Sequence, residues 1–392
     1  MKRIYLDHNA TTPLRAEAKA AMIAAMDVAG NPSSVHAEGR AAKGLVETAR
    51  AQVAEAMGCT AQQVIFTSSA TEAAALAAAQ KERHGGVFGA LATEHDCVRV
   101  WADDELKPLF VNDGGLDPEG GGDFFNWICN QSDKTWKADR TSVALVGISA
   151  ANSETGLLAP DGKVVGSGHV NASKAGTVPY STLCDLTQIV GKMPVVYGEI
   201  TPSYAIISSH KFGGPKGVGA LINFTPDDPL PMLRGGGQEM NRRSGTENVI
   251  GIVGMGAAIT AAMADLETGV WARVEKLRNI LESGVEAASQ DTILIGKKAA
   301  RLPNTSCLLT PGWKGETQVM AMDLAGIAVS AGSACSSGKV KASRVLMAMG
   351  YEEDLAASAI RVSLGPDTTQ EDVERFVDVW TEKRKRHRQR FA

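Results

Sequence analysis

SSHKFGGPKGVGAL, residues Ser208–Leu221, sets Lys211 between the end of one apolar run and a Gly-Gly-Pro turn, with a second apolar run following directly. The first run, AIIS (Ala205–Ser208), is compact and β-like, as expected of a strand buried on both faces. A lysine placed there stands at the carboxyl edge of a sheet, where open α/β sheets bind their ligands. Alone, Lys211 reads as a solvated turn lysine, because buried lysine is rare. The rest of the chain decides between the two.

Outward from that stretch, short apolar runs alternate with helical patterns. VIFT (Val64–Thr67), GVFGAL (Gly86–Leu91), VALVGIS (Val143–Ser149) and GVGALINF (Gly217–Phe224) read as strands, and 3.6-residue periodicity marks Leu14–Asp27 and Ser34–Met57 as helices. The order predicts a helix-covered, mainly parallel sheet. Beyond Gly256 the texture changes to a long helical stretch, Ala257–Gln290, followed by LIGKKAARLPNTSCLLT and further strand and helix signals. The chain therefore divides into a large α/β domain, 14–255, and a smaller α+β domain formed by 1–13 and 256–392. The Gly/Ser/Lys-rich segment Asp161–Thr177 is expected to be irregular and mobile. The C-terminal KRKRHRQR, Lys383–Arg390, reads as a solvated helix end rather than a docking site.

Composition narrows the function classes. With 392 residues, 44% hydrophobic and 21% charged, the chain can bury two cores. A net charge of -4 gives no electrostatic footprint for nucleic acid. Asp7 and His8 interrupt the N-terminus too early for a signal-peptide apolar core, so a cytoplasmic protein without membrane attachment is expected. The six cysteines, at 59, 97, 129, 184, 307 and 335, form no CxxC pair and no metal-ligand rhythm. Free thiols and no metal site are the expectation. Only Cys335, in AGSACSSG (Ala331–Gly338), is set among glycine, serine and alanine, a composition that lets a segment move and approach a ligand closely.

Four further elements change the weight on Lys211. TSSATEAA (Thr67–Ala74) passes from a strand into a helix with small residues, leaving backbone N–H groups and the Thr71 hydroxyl for an anion, although Ser/Thr capping alone explains it equally. CDLTQ (Cys184–Gln188) puts Asp185 at a strand end, where a carboxylate can hold a ring nitrogen protonated. ATEHDCV (Ala92–Val98) delivers His95 as a ring-stacking or proton-shuttling group. RRSGTEN (Arg242–Asn248) offers Arg243 and Thr246 to a phosphate. An amine able to form a Schiff base, an anion cradle, a carboxylate and a stacked ring at the strand ends of one sheet are what pyridoxal phosphate requires.

With these motifs the chain resembles the cysteine desulfurases of the NifS/IscS-like type, in the class V aminotransferase family of fold-type I pyridoxal-phosphate enzymes. The likeness runs from YLDHNATTP (Tyr5–Pro13) and NPSSVHAEGR (Asn31–Arg40) to GSACSSG and IRVSLG (Ile360–Gly365). It implies a seven-stranded-type sheet between helices and pyridoxal 5'-phosphate as cofactor. Lys211 then holds the cofactor covalently. Ala70, Thr71, Ser208 and His210 bind its phosphate, and Thr246 reaches the phosphate of a neighbouring subunit, which implies a homodimer. Asp185 pairs with the pyridine nitrogen, Gln188 with the phenolic oxygen, and His95 stacks on the ring. Ser153 takes the position of a second cofactor-contacting asparagine, with Asn152 just before it. Arg361 clamps the substrate carboxylate, which suits a planar guanidinium. Asn31 lines the entrance, and Asn152 stands with it on the substrate side. Cys335 is the persulfide-forming cysteine, taking sulfur from L-cysteine, leaving L-alanine, and passing the sulfur to an acceptor protein such as an iron-sulfur scaffold.

The chain departs from the pattern at Ser69 with its alanine run Ala73–Ala75, at Ser153, and in segment 161–177. A selenocysteine lyase or a class V transaminase would share the cofactor residues but leave the Cys335 stretch idle. An inactive scaffold subunit on the same fold is the non-enzyme alternative.

Overall fold

The computed structural model describes residues 3–111, 115–116, 120–135, 142–159, 163–172, 176–331 and 342–391. The first half contains β1 (Ile4–Tyr5), α1 (Ala16–Met26), α2 (Ala37–Ala56), β2 (Val64–Thr67), α3 (Ala70–Ala78), β3 (Phe88–Leu91), α4 (Asp96–Arg99), β4 (Asp104–Leu106), β5 (Phe110–Val111), β6 (Gly115–Leu116) and α5 (Gly120–Thr135). The centre is β7 (Leu145–Ser149), β8 (Gly168–Ala172), β9 (Gly176–Asp185), β10 (Tyr204–Ser208) and β11 (Gly219–Asn223), then α6 (Val249–Glu267) and α7 (Val270–Ala288). The remainder is β12 (Ile293–Leu294), β13 (Thr305–Leu309), α8 (Gly315–Leu324), β14 (Ile327–Ala328), β15 (Ser330–Ala331), α9 (Arg344–Ala348), α10 (Glu353–Ala356), β16 (Ala359–Ser363) and α11 (Gln370–Phe391).

Seven strands lie side by side in the order β2-β11-β10-β9-β7-β3-β4, and β8 pairs with β9 off that line. From β10 to β4 the pairing is parallel, while β11 is antiparallel to both its neighbours. The apolar runs are unbroken because both faces are covered. Val64, Phe66, Ala205, Ile207, Ala220 and Ile222 face a core shared with α2 and α6, while Ile65, Ile206 and Leu221 face the core shared with α3. A Cβ on Gly256 of α6 would come within 2.9 Å of the Ala49 Cα on α2, so the glycine sets how closely these helices pack. The second sheet, β12-β13-β16-β15, is antiparallel. Its core joins Leu308, Ile360 and Val362 to Leu281 and Val285 of α7, Phe376 and Trp380 of α11, and Trp313. β1 pairs with β14, and Leu6 is buried in that second core.

Two expectations are corrected and a third is corrected in part. Segment 161–177 is not simply irregular: β8 within it pairs antiparallel with β9, Gly168 opposite Tyr180 through Ala172 opposite Gly176. Val170 packs on the core beneath α5, and an added Cβ at Gly168 would meet the Tyr180 ring. The helical stretch 257–290 is two helices, the first starting earlier at Val249; Gly269, at φ 75°, breaks them. The basic C-terminal run is mostly exposed, as expected of a helix end, but Arg384 is buried and several of its side chains have partners in the fold. Arg384 and Arg388 both donate to Asp291, Arg386 pairs with Glu382, and the His387 ring stacks on Trp313 at 5.3 Å.

Gly256→Ala is expected to separate α6 from α2 and lower stability by about 1–3 kcal/mol, read as an earlier midpoint in urea unfolding. Gly269→Ala, which meets nothing within 4 Å, should cost only its left-handed backbone strain. An unchanged midpoint in Gly256→Ala would mean that the helices are not held at glycine distance.

Candidate active site

The sheet's topology gathers the candidates at one edge. β11 is antiparallel to both β2 and β10, so those two strands run in the same direction, and Thr67 and Ser208 both pair with Gly219. The N-terminus of α3 and the turn carrying Lys211 therefore open side by side. An added Cβ on Gly219 would lie 2.6 Å from the Ser69 carbonyl carbon and 2.9 Å from the Ala70 nitrogen. Ser69 caps α3 by accepting from the Glu72 N–H, and the first-turn amides of Ala70 and Thr71 have no intrahelical acceptor. This is a donor set that fits a phosphate. Asp185 ends β9, accepting the Thr187 N–H at 2.8 Å, and it pairs with Ser149 across β7.

The N-terminal segment closes over Lys211. Its Nζ donates to the carbonyls of Asn9 (2.7 Å) and Ala10 (3.0 Å), while Thr12 bonds the Lys211 and His210 carbonyls. Burial pushes the Lys211 amine down to about 8; the positive charge of Arg361 acts the same way, against Asp185 and Asp7. His210 shares a hydrogen bond with Thr11 Oγ1, and burial, then the charges of Lys211 and Lys216, pushes its ring down to about 4. Gln188 donates to the same Asn9 carbonyl at 3.0 Å.

Arg361 projects from β16, only 8% exposed. It donates to Asp7 Oδ1 at 3.0 Å and to the Ser153 carbonyl at 2.9 Å, and among the described residues its buried Nε has no hydrogen-bond partner. That leaves a fixed, partly unsatisfied cation beside an amine. Ser153 thus acts on Arg361 through its backbone. Asn152 is turned inward to its own loop: Oδ1 accepts from Glu154, Thr155 N and Thr155 Oγ1, and Nδ2 donates to the Thr93 carbonyl. His95 caps α4, its Nδ1 accepting the Cys97 N–H at 3.1 Å, which puts the ring's remaining proton on Nε2.

Among the described residues, no hydrogen bond joins Asn31 or Thr246 to this network. Asn31 lies on an exposed turn, accepting the Ser33 N–H. Thr246 is exposed in the loop before α6. Arg243, expected to face a phosphate, instead pairs with Glu72 at 2.8 Å. Cys335 lies outside the described residues; β15 ends four residues ahead of it, with Ser330 opposite Arg361. The described cysteines are all free.

Sequence reading missed the acids around this cluster. Glu94, next to His95, is pushed up to about 8 by burial, with the Asp185 charge adding to the effect, and it accepts from Ser149 Oγ. Glu154 is pushed up to about 7 by burial and accepts from Ser343. Arg344 donates to the Ala92 and Glu94 carbonyls, tying the start of α9 to the His95 segment. Asp7 and Asn9 lay in the quoted N-terminal motif, but only the folded chain gives them partners.

The sequence profile of the class-V aminotransferases matches residues 4–376. The chain is 37% identical to a cysteine desulfurase IscS of Dictyoglomus turgidum, over 97% of this chain and 94% of that protein. It is also 37% identical to a cysteine desulfurase of Cereibacter sphaeroides, over 97% and 95%. Among solved structures, a NifS-like protein from Rickettsia africae superposes with a TM-score of 0.80 at 31% identity, covering 97% of this chain and 99% of that one.

Acylation of the cofactor-free chain should label Lys211 with a rate that rises through about pH 8 as the ammonium loses its proton, well below the range of exposed lysines. Asp185→Asn should move that midpoint lower, because the carboxylate's charge favours the ammonium. A Lys211 profile matching exposed lysines, measured by peptide mapping, would contradict the effect of burial and Arg361.

Proposed function

Because this chain belongs to the class-V aminotransferase family, whose members depend on pyridoxal 5'-phosphate, we propose that it is a cysteine desulfurase that converts L-cysteine to L-alanine and holds the sulfur as a persulfide on Cys335. The observation that carries the reading is the juxtaposition of Lys211 and Arg361: a part-buried amine of lowered basicity near a guanidinium whose Nε has no partner among the described residues, the two groups an α-amino acid needs at its amino and carboxylate ends. The chain's similarity over nearly its whole length to cysteine desulfurases selects that substrate within the family.

The residues present fit the cofactor. Ala70, Thr71, Ser208 and His210 would hold its phosphate, Asp185 its pyridine nitrogen, Gln188 its phenolic oxygen, and His95 one ring face. Bound pyridoxal 5'-phosphate supplies an electron sink that acidifies the Cα–H of the amino acid and loosens its Cβ–S bond. Lys211 holds the cofactor at rest and, once free, takes the Cα proton at Nζ; a midpoint near 8 leaves part of it unprotonated at neutral pH. Arg361 orients the substrate carboxylate, while Asp7 and the Ser153 carbonyl hold its fork in place. His95, whose Nδ1 is held by the Cys97 N–H so that Nε2 carries the proton, moves protons at the substrate sulfur. The Cys335 thiolate forms an S–S bond to that sulfur as the Cβ–S bond breaks; the electron pair goes to the carbon skeleton, which takes up a proton and leaves as alanine. Thr246, exposed in its own chain, serves the phosphate of a second copy, and the working unit is a cytoplasmic homodimer. An acceptor protein, such as an iron-sulfur scaffold, then removes the sulfur.

Cys335→Ser should abolish sulfide release from L-cysteine in the presence of a thiol reductant, while the visible spectrum still responds to added L-cysteine. Sulfide release at the wild-type rate would favour a selenocysteine-lyase type of chemistry, which needs no protein nucleophile.

Arg361→Ala should raise the Michaelis constant by about 2–5 kcal/mol equivalent, the loss typical of a buried charge partner, without changing cofactor content. Unaltered kinetics would place the carboxylate elsewhere.

A further inference from the structure

Lys192 is 2% exposed and has no part in the chemistry above. It follows Gln188 by one turn after β9, where the Lys192 N–H bonds the Ile189 carbonyl and Gly191, at φ 73°, brings the backbone close to Ala262 of α6. Its Nζ donates to Gln188 Oε1 at 2.9 Å and to Asn9 Oδ1 at 3.1 Å. Both are neutral amide oxygens. Among the described residues no carboxylate pairs with it, and burial, then the positive charges of Lys211 and Arg361, push its amine well below the usual lysine range. A buried amine in that setting is a liability for stability. Its presence calls for another reason.

The surrounding acceptors supply one. The Asn9 backbone carbonyl can only accept, so the Gln188 atom facing it at 3.0 Å is the amide nitrogen, and Oε1 is left facing Lys192. Asn9 Oδ1 has a second donor in Asn304 Nδ2, but Gln188 Oε1 has only Lys192 among the described residues. One Gln188 N–H is used on Asn9, and that carbonyl also takes the Lys211 Nζ, so the Gln188 amide nitrogen and the Lys211 amine share one acceptor and the second amide N–H is left over. We propose that Lys192 is a positioning residue that locks the Gln188 amide so that an N–H, and not the carbonyl, is presented to the phenolic oxygen of the cofactor. Without Lys192, the amide loses the donor that holds its oxygen and can turn that oxygen toward the cofactor, putting two acceptors face to face.

The inference rests on the cofactor reading above, and its test separates the two. Wild-type chain stripped of cofactor and titrated with pyridoxal 5'-phosphate should show a saturable visible absorbance; its absence would remove the cofactor reading itself. Lys192→Met, of similar length, should bind about 10- to 100-fold more weakly and move the pH at which the bound visible band changes, while the unfolding midpoint of the cofactor-free protein stays level or rises. In a Gln188→Ala background the same substitution should change affinity less than about twofold, because the amide it acts through is gone. Effects that multiply independently, or wild-type affinity and band position in Lys192→Met, overturn the proposal. Lys192→Gln, which keeps an N–H donor in the pocket, serves if the Met variant does not fold: affinity near wild type supports the role of the donor, and a loss that persists in the Gln188→Ala background overturns it.

Discussion

The carbonyl and side chain of Asn9 are the joint on which the site depends. The carbonyl accepts from Lys211 and Gln188 at the edge of the large sheet; Oδ1 accepts from Lys192 and Asn304; Nδ2 donates to Thr305; and the backbone N–H donates to Ser363 of β16. A single residue near the N-terminus thus holds groups from both sheets at hydrogen-bonding distance. Buried polar networks of this kind are rigid when complete and costly when broken, because every orphaned group is left without water. The distance between the amine on one sheet and the guanidinium on the other follows from this joint.

Electrostatically the site is a cluster of cations with limited compensation. Burial, then the charge of Arg361, lowers the basicity of Lys211, with Asp185 and Asp7 opposing it only in part; burial, then the charges of Lys211 and Arg361, lowers that of Lys192. An anion-accepting pocket is the natural result. The nearby acids do not cancel it, since Glu94, pushed up to about 8, is mostly uncharged near neutral pH, and Glu154, at about 7, is only half ionised there. The free first-turn amides of α3, an Arg361 Nε with no partner among the described residues and a Lys211 of lowered basicity are consistent with one another: each is suited to an anionic or electrophilic partner.

Ser343 and Arg344, at the start of α9, reach the loops that follow strands of the large sheet. The Ser343 hydroxyl meets Glu154, and the Arg344 guanidinium bridges the Ala92 and Glu94 carbonyls. The segment that follows the Cys335 stretch in sequence is therefore anchored on the loop that carries His95. β15, which precedes the stretch, is paired directly to the strand that carries Arg361.

Much of this could be read in the sequence, because it is local chemistry. Unbroken apolar runs required a sheet covered on both faces, and Lys211, Asp185 and the start of α3 follow their strands at once, so their place at a sheet edge needed no tertiary information. Segment 161–177 was misread because Gly and Ser outweighed the alternation that lets Val170 pack; its hairpin with β9 is local, but the core it packs on, beneath α5, comes from residues distant in sequence. The turn of Asn152 into its own loop and the pairing of Arg243 with Glu72 also escaped the sequence, since both depend on which acceptor lies nearest in space. Asp7 beside Arg361 and Lys192 beneath Gln188 were decided only by the tertiary structure. A residue type fixes what a side chain can donate or accept, but burial and the position of its partner, set by elements hundreds of residues apart, decide whether that capacity becomes a lowered pKa, a clamp or a locked amide.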